Sequence, residues 1–234
     1  MSEKPIKSIG IVACSSEGAA LCYRTICNYS AEIFGEHAHP EIAIHSHSLA
    51  KYVEYLTVGD LDKVAELMVS SAKKLKASGA DFVICPDNTI HQAFDTVVES
   101  SPLEWLHIAE VVTQFAHAKG FKKLGILGTR WLVESQVYPE KLEANNIAWM
   151  RPSVADRNEI DKIIMHELVH GIFKQDSINY FVKVIERLQS QGCDSVILGC
   201  TEIPLIISDT NSPLPTLDST RLLAKAAVDF ASSQ

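Results

Sequence analysis

Two stretches of the chain carry side chains suited to moving protons. One reads Cys85-Pro86-Asp87-Asn88-Thr89-Ile90-His91, the other Leu198-Gly199-Cys200-Thr201-Glu202-Ile203-Pro204. Each follows a short apolar run and ends a longer internal similarity. Residues 75–84 and 188–197 align without a gap at an offset of 113, with identities at Leu75/Leu188, Gly79/Gly192, Asp81/Asp194, Val83/Val196 and Ile84/Ile197. At that same offset Asp87 falls on Cys200. If two like halves face each other across a pseudo-twofold axis, these residues put one ionisable group on either side of a bound molecule. One group removes a proton from carbon and the other returns it from the opposite face, which inverts the centre. A thiolate serves as base once its pKa falls from the free value of about 8.5, and backbone N–H groups at a helix start favour that charge. The same N–H groups, with Asn88, Thr89 and Thr201, are placed to hold a substrate carboxylate.

The elements that must position these residues are legible as alternating runs. Ile9–Ala13, Ile42–Ile44, Phe82–Ile84, Leu124–Leu127 and Val196–Leu198 are short continuous apolar segments, suited to strands covered on both faces. Between them, Leu61 to Leu75 and Tyr180 to Leu188 repeat their apolar residues at helical spacing. Strand–helix alternation predicts an α/β fold with parallel sheets, in which ligands bind beyond the carboxyl ends of the strands. A second match, Lys7–Val12 against Lys122–Leu127 at an offset of 115, supports two similar halves. In each, the Gly closes a helix and the Asp opens the strand. The expected domains are 1–116 with 217–234, and 117–216. The segment Thr216 to Phe230 carries helical spacing.

Composition bounds the function. The chain has 234 residues, 47% hydrophobic and 21% charged, a globular balance. Lys+Arg at 21 against Asp+Glu at 29 gives a net charge of −8, with no basic surplus for nucleic acid or an anionic membrane. No apolar run approaches the roughly 20 residues of a membrane span. Met1-Ser2-Glu3-Lys4-Pro5 lacks the apolar stretch of a secretion signal. The six cysteines are therefore read as reduced thiols in a cytoplasmic protein.

The segments around Asp87 and Cys200 resemble the paired signatures of the aspartate/glutamate racemase family, Cys-Asn-Thr-x-His and Gly-Cys-Thr-Glu. Gly128-Thr129-Arg130 with Glu134-Ser135 and Tyr138–Leu142 is similar to that family's middle segment. Glu167-Leu168 with Gly171, and Ile9–Ile11 with Tyr23-Arg24, fit weaker parts. The resemblance covers nearly the whole chain. It implies two flavodoxin-like α/β domains with the active site in the cleft between them, and a terminal segment that returns to the first. It also implies acid/base chemistry on small carboxylates with neither pyridoxal phosphate nor metal, and a homodimer. By resemblance Cys200 is the second catalytic cysteine, and Asn88, Thr89, Thr129, Thr201 and Glu202 bind substrate together with Ser15 or Ser16. Ser46 lines the pocket, and Lys51 or His170 meets the substrate side chain. The chain departs from the pattern where Asp87 replaces the first cysteine and Leu132 a second threonine. Cys85, two residues before Asp87, is read as core. An aspartate at its ordinary pKa of about 3.9 is a weak base unless desolvated. A one-base isomerase or decarboxylase of the same scaffold, or a carboxylate-binding protein, therefore stands beside racemisation.

A metal motif competes. His166-Glu167-Leu168-Val169-His170 matches H-E-x-x-H, which on a helix brings two imidazoles to one face for zinc, as in a peptidase. The extended pattern fails, with Phe173 and Asp176 at its Gly and His positions, so the motif is read as coincidence. His45 and His47 alternate to one side of a strand end and are read as hydrogen-bonded histidines near the cleft. His91 either orients a catalytic group or binds backbone.

Overall fold

Ile9–Ala13 (β1) is buried at every residue, as a strand covered on both faces requires. In the computed structural model, which describes residues 6–233, it lies at the centre of the first of two parallel sheets. The stretch Met1–Pro5 lies outside the described residues. The chain divides after Ile108 and again after Ser219 into two compact units, the second being Ala109–Ser219.

The first unit runs β1, α1 (Ser16–Phe34), β2 (Ile42–Ser46), α2 (Leu49–Val58), α3 (Leu61–Ala77), β3 (Phe82–Ile84), a 3-10 turn at Thr89–Ala93, α4 (Phe94–Ser100) and β4 (Glu104–Leu106). Its sheet has the order β2-β1-β3-β4, all parallel. Helix α5 (Ile108–Lys119) carries the chain into the second unit. There follow β5 (Lys123–Leu127), α6 (Arg130–Glu134), α7 (Pro139–Ala144), β6 (Ala148–Met150), α8 (Val154–His166), a 3-10 turn at Leu168–His170, α9 (Gln175–Ser190), β7 (Ser195–Leu198), a 3-10 turn at Ile203–Leu205 and β8 (Thr216–Asp218). The sheet order is β6-β5-β7-β8, again all parallel. Helix α10 (Ser219–Ser232) ends the described chain, and the residues from Thr220 onward belong to the first unit. The fold is α/β, with two four-stranded parallel sheets of one topology.

The internal repeat has a physical basis. Gly79 and Gly192 follow α3 and α9 with φ of +93° and +90°, a left-handed conformation that a side chain would strain. Two residues on, Asp81 accepts the backbone N–H of Ser8 at 2.7 Å and Asp194 that of Lys122 at 2.7 Å. Each Gly-x-Asp therefore reverses a helix and clamps the entry of the neighbouring central strand. The core of the second unit is closed by α9, whose Phe181, Val184, Ile185 and Leu188 are at most 2% exposed. Burying each such side chain is worth about 1.5–3 kcal/mol. In the first unit α3 does the same through Val64, Met68, Ala72 and Leu75.

Two expectations are corrected. Thr216 to Phe230 is not helical throughout, because Thr216–Asp218 pairs with Val196–Leu198 as β8 before α10 starts. The H-E-x-x-H pentapeptide is not on one helix. Helix α8 ends at His166, Glu167 leaves it with φ −124° and ψ −65°, and Leu168–His170 forms a 3-10 turn.

Candidate active site

In each sheet the two central strands run into turns that carry capping or reactive side chains. After β1, Ser15 accepts the N–H of Gly18 at 3.1 Å and starts α1, with Ser16 exposed beside it. After β3, Asp87 accepts the N–H groups of Thr89 at 2.9 Å and Ile90 at 3.2 Å through Oδ1. Because β1 and β3 are neighbours in register, these caps lie at adjacent carboxyl ends. The second unit repeats the device. After β5, Thr129 accepts the N–H of Leu132 at 3.3 Å and starts α6. After β7 comes Cys200.

In the first unit, Asp87 is half-buried, while Asn88 and Thr89 are 2% and 7% exposed. The two N–H bonds to Asp87 strengthen when its carboxylate is ionised. His91 holds the backbone of this turn. Its Nε2 accepts the N–H of Ile108 at 3.4 Å, so Nδ1 carries the proton and donates to the Asp87 carbonyl at 2.7 Å. The ring packs between Phe94 and His107. His91 thus bonds the backbone of Asp87 and of Ile108. Cys85 is fully buried, and burial, reinforced by the charge of Asp87, pushes its thiol well above the ordinary range. Such a group stays protonated, as core. Ser46 is exposed at the end of β2 and donates to the His47 carbonyl.

In the second unit, Cys200 is 8% exposed, Thr201 4% and Glu202 3%. The Cys200 thiol donates to Glu202 Oε2 at 3.0 Å, and the Thr201 hydroxyl donates to the same oxygen at 2.7 Å. Gly199 makes this turn possible, for a Cβ there would stand 2.7 Å from the Leu127 carbonyl oxygen and 2.5 Å from Leu132 Cδ2. Leu132, in place of the second threonine, packs over Gly128 and Gly199. The reach of Glu202 back to the thiol escaped the sequence reading, which grouped it with substrate ligands. Its spacing of two residues from Cys200 gave no signal of this, because the reach is set by the backbone angles of the turn.

The sequence from residue 10 to 227 matches the Asp/Glu/Hydantoin racemase family. The chain belongs to that family. It is 25% identical over 173 residues to the broad-specificity amino-acid racemase RacX of Bacillus subtilis, covering 72% of this chain and 73% of that one. A crystal structure from Yersinia pestis, provisionally named an Asp/Glu racemase, superposes with a TM-score of 0.88 at 30% identity, over 97% of this chain and all of that one. An aspartate racemase homologue from Pyrococcus horikoshii gives a TM-score of 0.84 at 26% identity, over 97% and 100% of the two chains.

Glu167 is occupied by the Ser177 hydroxyl and by Lys174 Nζ at 2.9 Å, bonds that hold its carboxyl below the usual range. With His166 and His170 on either side of a broken helix, the pentapeptide lacks the single face a zinc pair needs. Among the described residues, no three His, Cys, Asp or Glu gather in a group able to hold a metal ion. His45 accepts from Lys74 Nζ at 3.0 Å through Nε2 and so donates to Ser71 through Nδ1, while His47 bonds Ser70 at 3.2 Å. Burial, and then the neighbouring cations, hold both imidazoles below their ordinary pKa. All six cysteines are free thiols. No helix among the described residues is long and apolar enough to cross a membrane.

Proposed function

We propose that this protein is a pyridoxal-phosphate-independent amino-acid racemase of the aspartate/glutamate type, acting on a small amino acid in the cytoplasm as a homodimer. The observation that carries the reading is the buried thiol of Cys200 at the carboxyl end of β7, in a family whose members include named amino-acid racemases. In this reading the substrate lies with one face of its α-carbon toward Cys200 and the other toward Asp87. The Cys200 thiolate removes the α-proton, forming S–H as the C–H bond breaks. Charge passes into the substrate carboxylate, which Asn88, Thr89, Thr129 and Thr201 hold with the backbone N–H groups of the strand-end turns. The protonated Asp87 carboxyl then delivers its proton to the opposite face, and the reverse sequence runs the reaction backward. An α-proton is so weakly acidic that most of the barrier reduction comes from stabilising the carboxylate's developing charge. Ser15, Ser16 and Ser46 line the same pocket, and His170 meets the distal end of the substrate.

A second reading, a one-base isomerase or decarboxylase of the same scaffold, is favoured by one observation: Asp87 Oδ1 is committed to capping its turn. The readings separate on enantiopure aspartate and glutamate followed by chiral chromatography. Racemisation predicts a falling enantiomeric excess from either enantiomer, and at least about a 100-fold loss in Cys200→Ser. Conversion that persists in that variant removes Cys200 from the mechanism.

A further inference from the structure

A buried thiol that acts as both base and acid must lose and regain a proton without stranding charge. Loss of the Cys200 proton to solvent would leave a thiolate beside the Glu202 carboxylate, two like charges in a site where the residues are 8% and 3% exposed. The geometry offers a route that avoids this. The S–H of Cys200 points at Glu202 Oε2 at 3.0 Å, and the O–H of Thr201 at 2.7 Å steadies the same oxygen. We infer that Glu202 is the proton-exchanging partner of Cys200, rather than a ligand of the substrate carboxylate.

The step balances within the pair. The S–H bond breaks as an O–H bond forms on Oε2, giving thiolate and neutral carboxylic acid, and the pair carries a single negative charge before and after. The thiolate then takes the α-proton. Uptake of the α-proton leaves Cys200 as S–H beside the acid form of Glu202; when product leaves, Glu202 releases its proton to solvent water and Asp87, which gave its proton to the product, takes one up from solvent, restoring the starting state. A glutamate carboxylate at this place repels a substrate carboxylate, which argues against its serving as a ligand of that group. Glu202 acts through Cys200 and is in that sense a positioning residue. The inference rests on the racemase reading for its purpose, though the coupling of the two side chains is measurable without substrate.

The test is Glu202→Gln in the full-length protein, near-isosteric and with its thermal midpoint compared to wild type. Two rates are read: alkylation of Cys200 by iodoacetamide at neutral pH, followed on its own peptide by mass spectrometry, and solvent deuterium exchange at the α-position of L- and D-aspartate and glutamate. The amide removes the like charge and supplies an N–H to the sulfur, so the thiolate, the form that alkylates, becomes more populated. We expect alkylation to rise about tenfold while exchange falls about 100-fold, since the stabilised thiolate is a weaker base with no internal partner. A merely structural glutamate would not move these rates in opposite directions. Unchanged alkylation overturns the inference, as does a variant that retains kcat and raises KM alone, which would make Glu202 a holder of the substrate ammonium. If Glu202→Gln does not fold, Glu202→Asp serves, with the same opposite movements expected at smaller size and parallel movements overturning the inference. Absence of exchange in wild type would sink the racemase reading instead, and alkylation would still decide whether the two side chains are coupled.

Discussion

The carboxylate of Asp87 receives the N–H groups of Thr89 and Ile90, bonds that an asparagine carbonyl at the same place also receives. Asp87→Asn therefore separates the cap from the proton. The variant is expected to keep its thermal midpoint within a few degrees of wild type, while racemisation falls at least about 100-fold. Chiral chromatography beside a melting curve checks both. Loss of fold together with activity would mean that the negative charge, rather than the proton, is what the position supplies. The sequence register that aligns Asp87 with Cys200 was legible in the repeat. The capping bonds of Asp87 were not, since a cap and an acid use the same residue type. Nor was the Cys200–Glu202 bond, because reach across a turn depends on backbone angles that spacing does not encode.

Between helices, one carboxylate ties two elements. Asp156, in the first turn of α8, accepts from Ser153 on its own helix start and from Tyr180 and Arg187 on α9. Burial works to raise its pKa, but the bonds from Arg187, Ser153 and Tyr180 outweigh it and hold the group below the ordinary carboxylate range. A carboxyl whose pKa is lower folded than unfolded stabilises the fold fully above the unfolded value near 3.9, and that stability drains as pH falls through the depressed one. Asp156→Asn is expected to cost about 1–2 kcal/mol at neutral pH, the lower part of the range for charged hydrogen bonds because the Arg187 side chain is 46% exposed. Urea titrations between neutrality and pH 3 check this: wild type and variant should converge toward acid, and a constant gap would contradict the assignment. At this scale the interior strands were legible as apolar runs. The edge strands β4, β6 and β8 were not, for each is three residues long and mixes apolar with polar or partly exposed positions. Periodicity also carried the helical reading through Thr216–Asp218, where ladder pairing with β7 prevails.

Across the whole molecule, one topology is used twice, and each unit ends its two central strands in capping or chemical residues. The duplication was visible in the sequence because Gly79 and Gly192 need positive φ and Asp81 and Asp194 each clamp a neighbouring strand. Outside such positions each half is free to diverge, as Asp87 at the register of Cys200 shows. The central claim is that these two residues, one from each half, serve the two faces of one carbon. Its most direct test follows enantiopure L-aspartate and L-glutamate in deuterated water over the first turnovers, by NMR and chiral chromatography together. The account predicts that the D-enantiomer forms already carrying α-deuterium while the remaining L-substrate is still protiated. Product that keeps its original proton, or the absence of α-deuterium in either enantiomer, would contradict it.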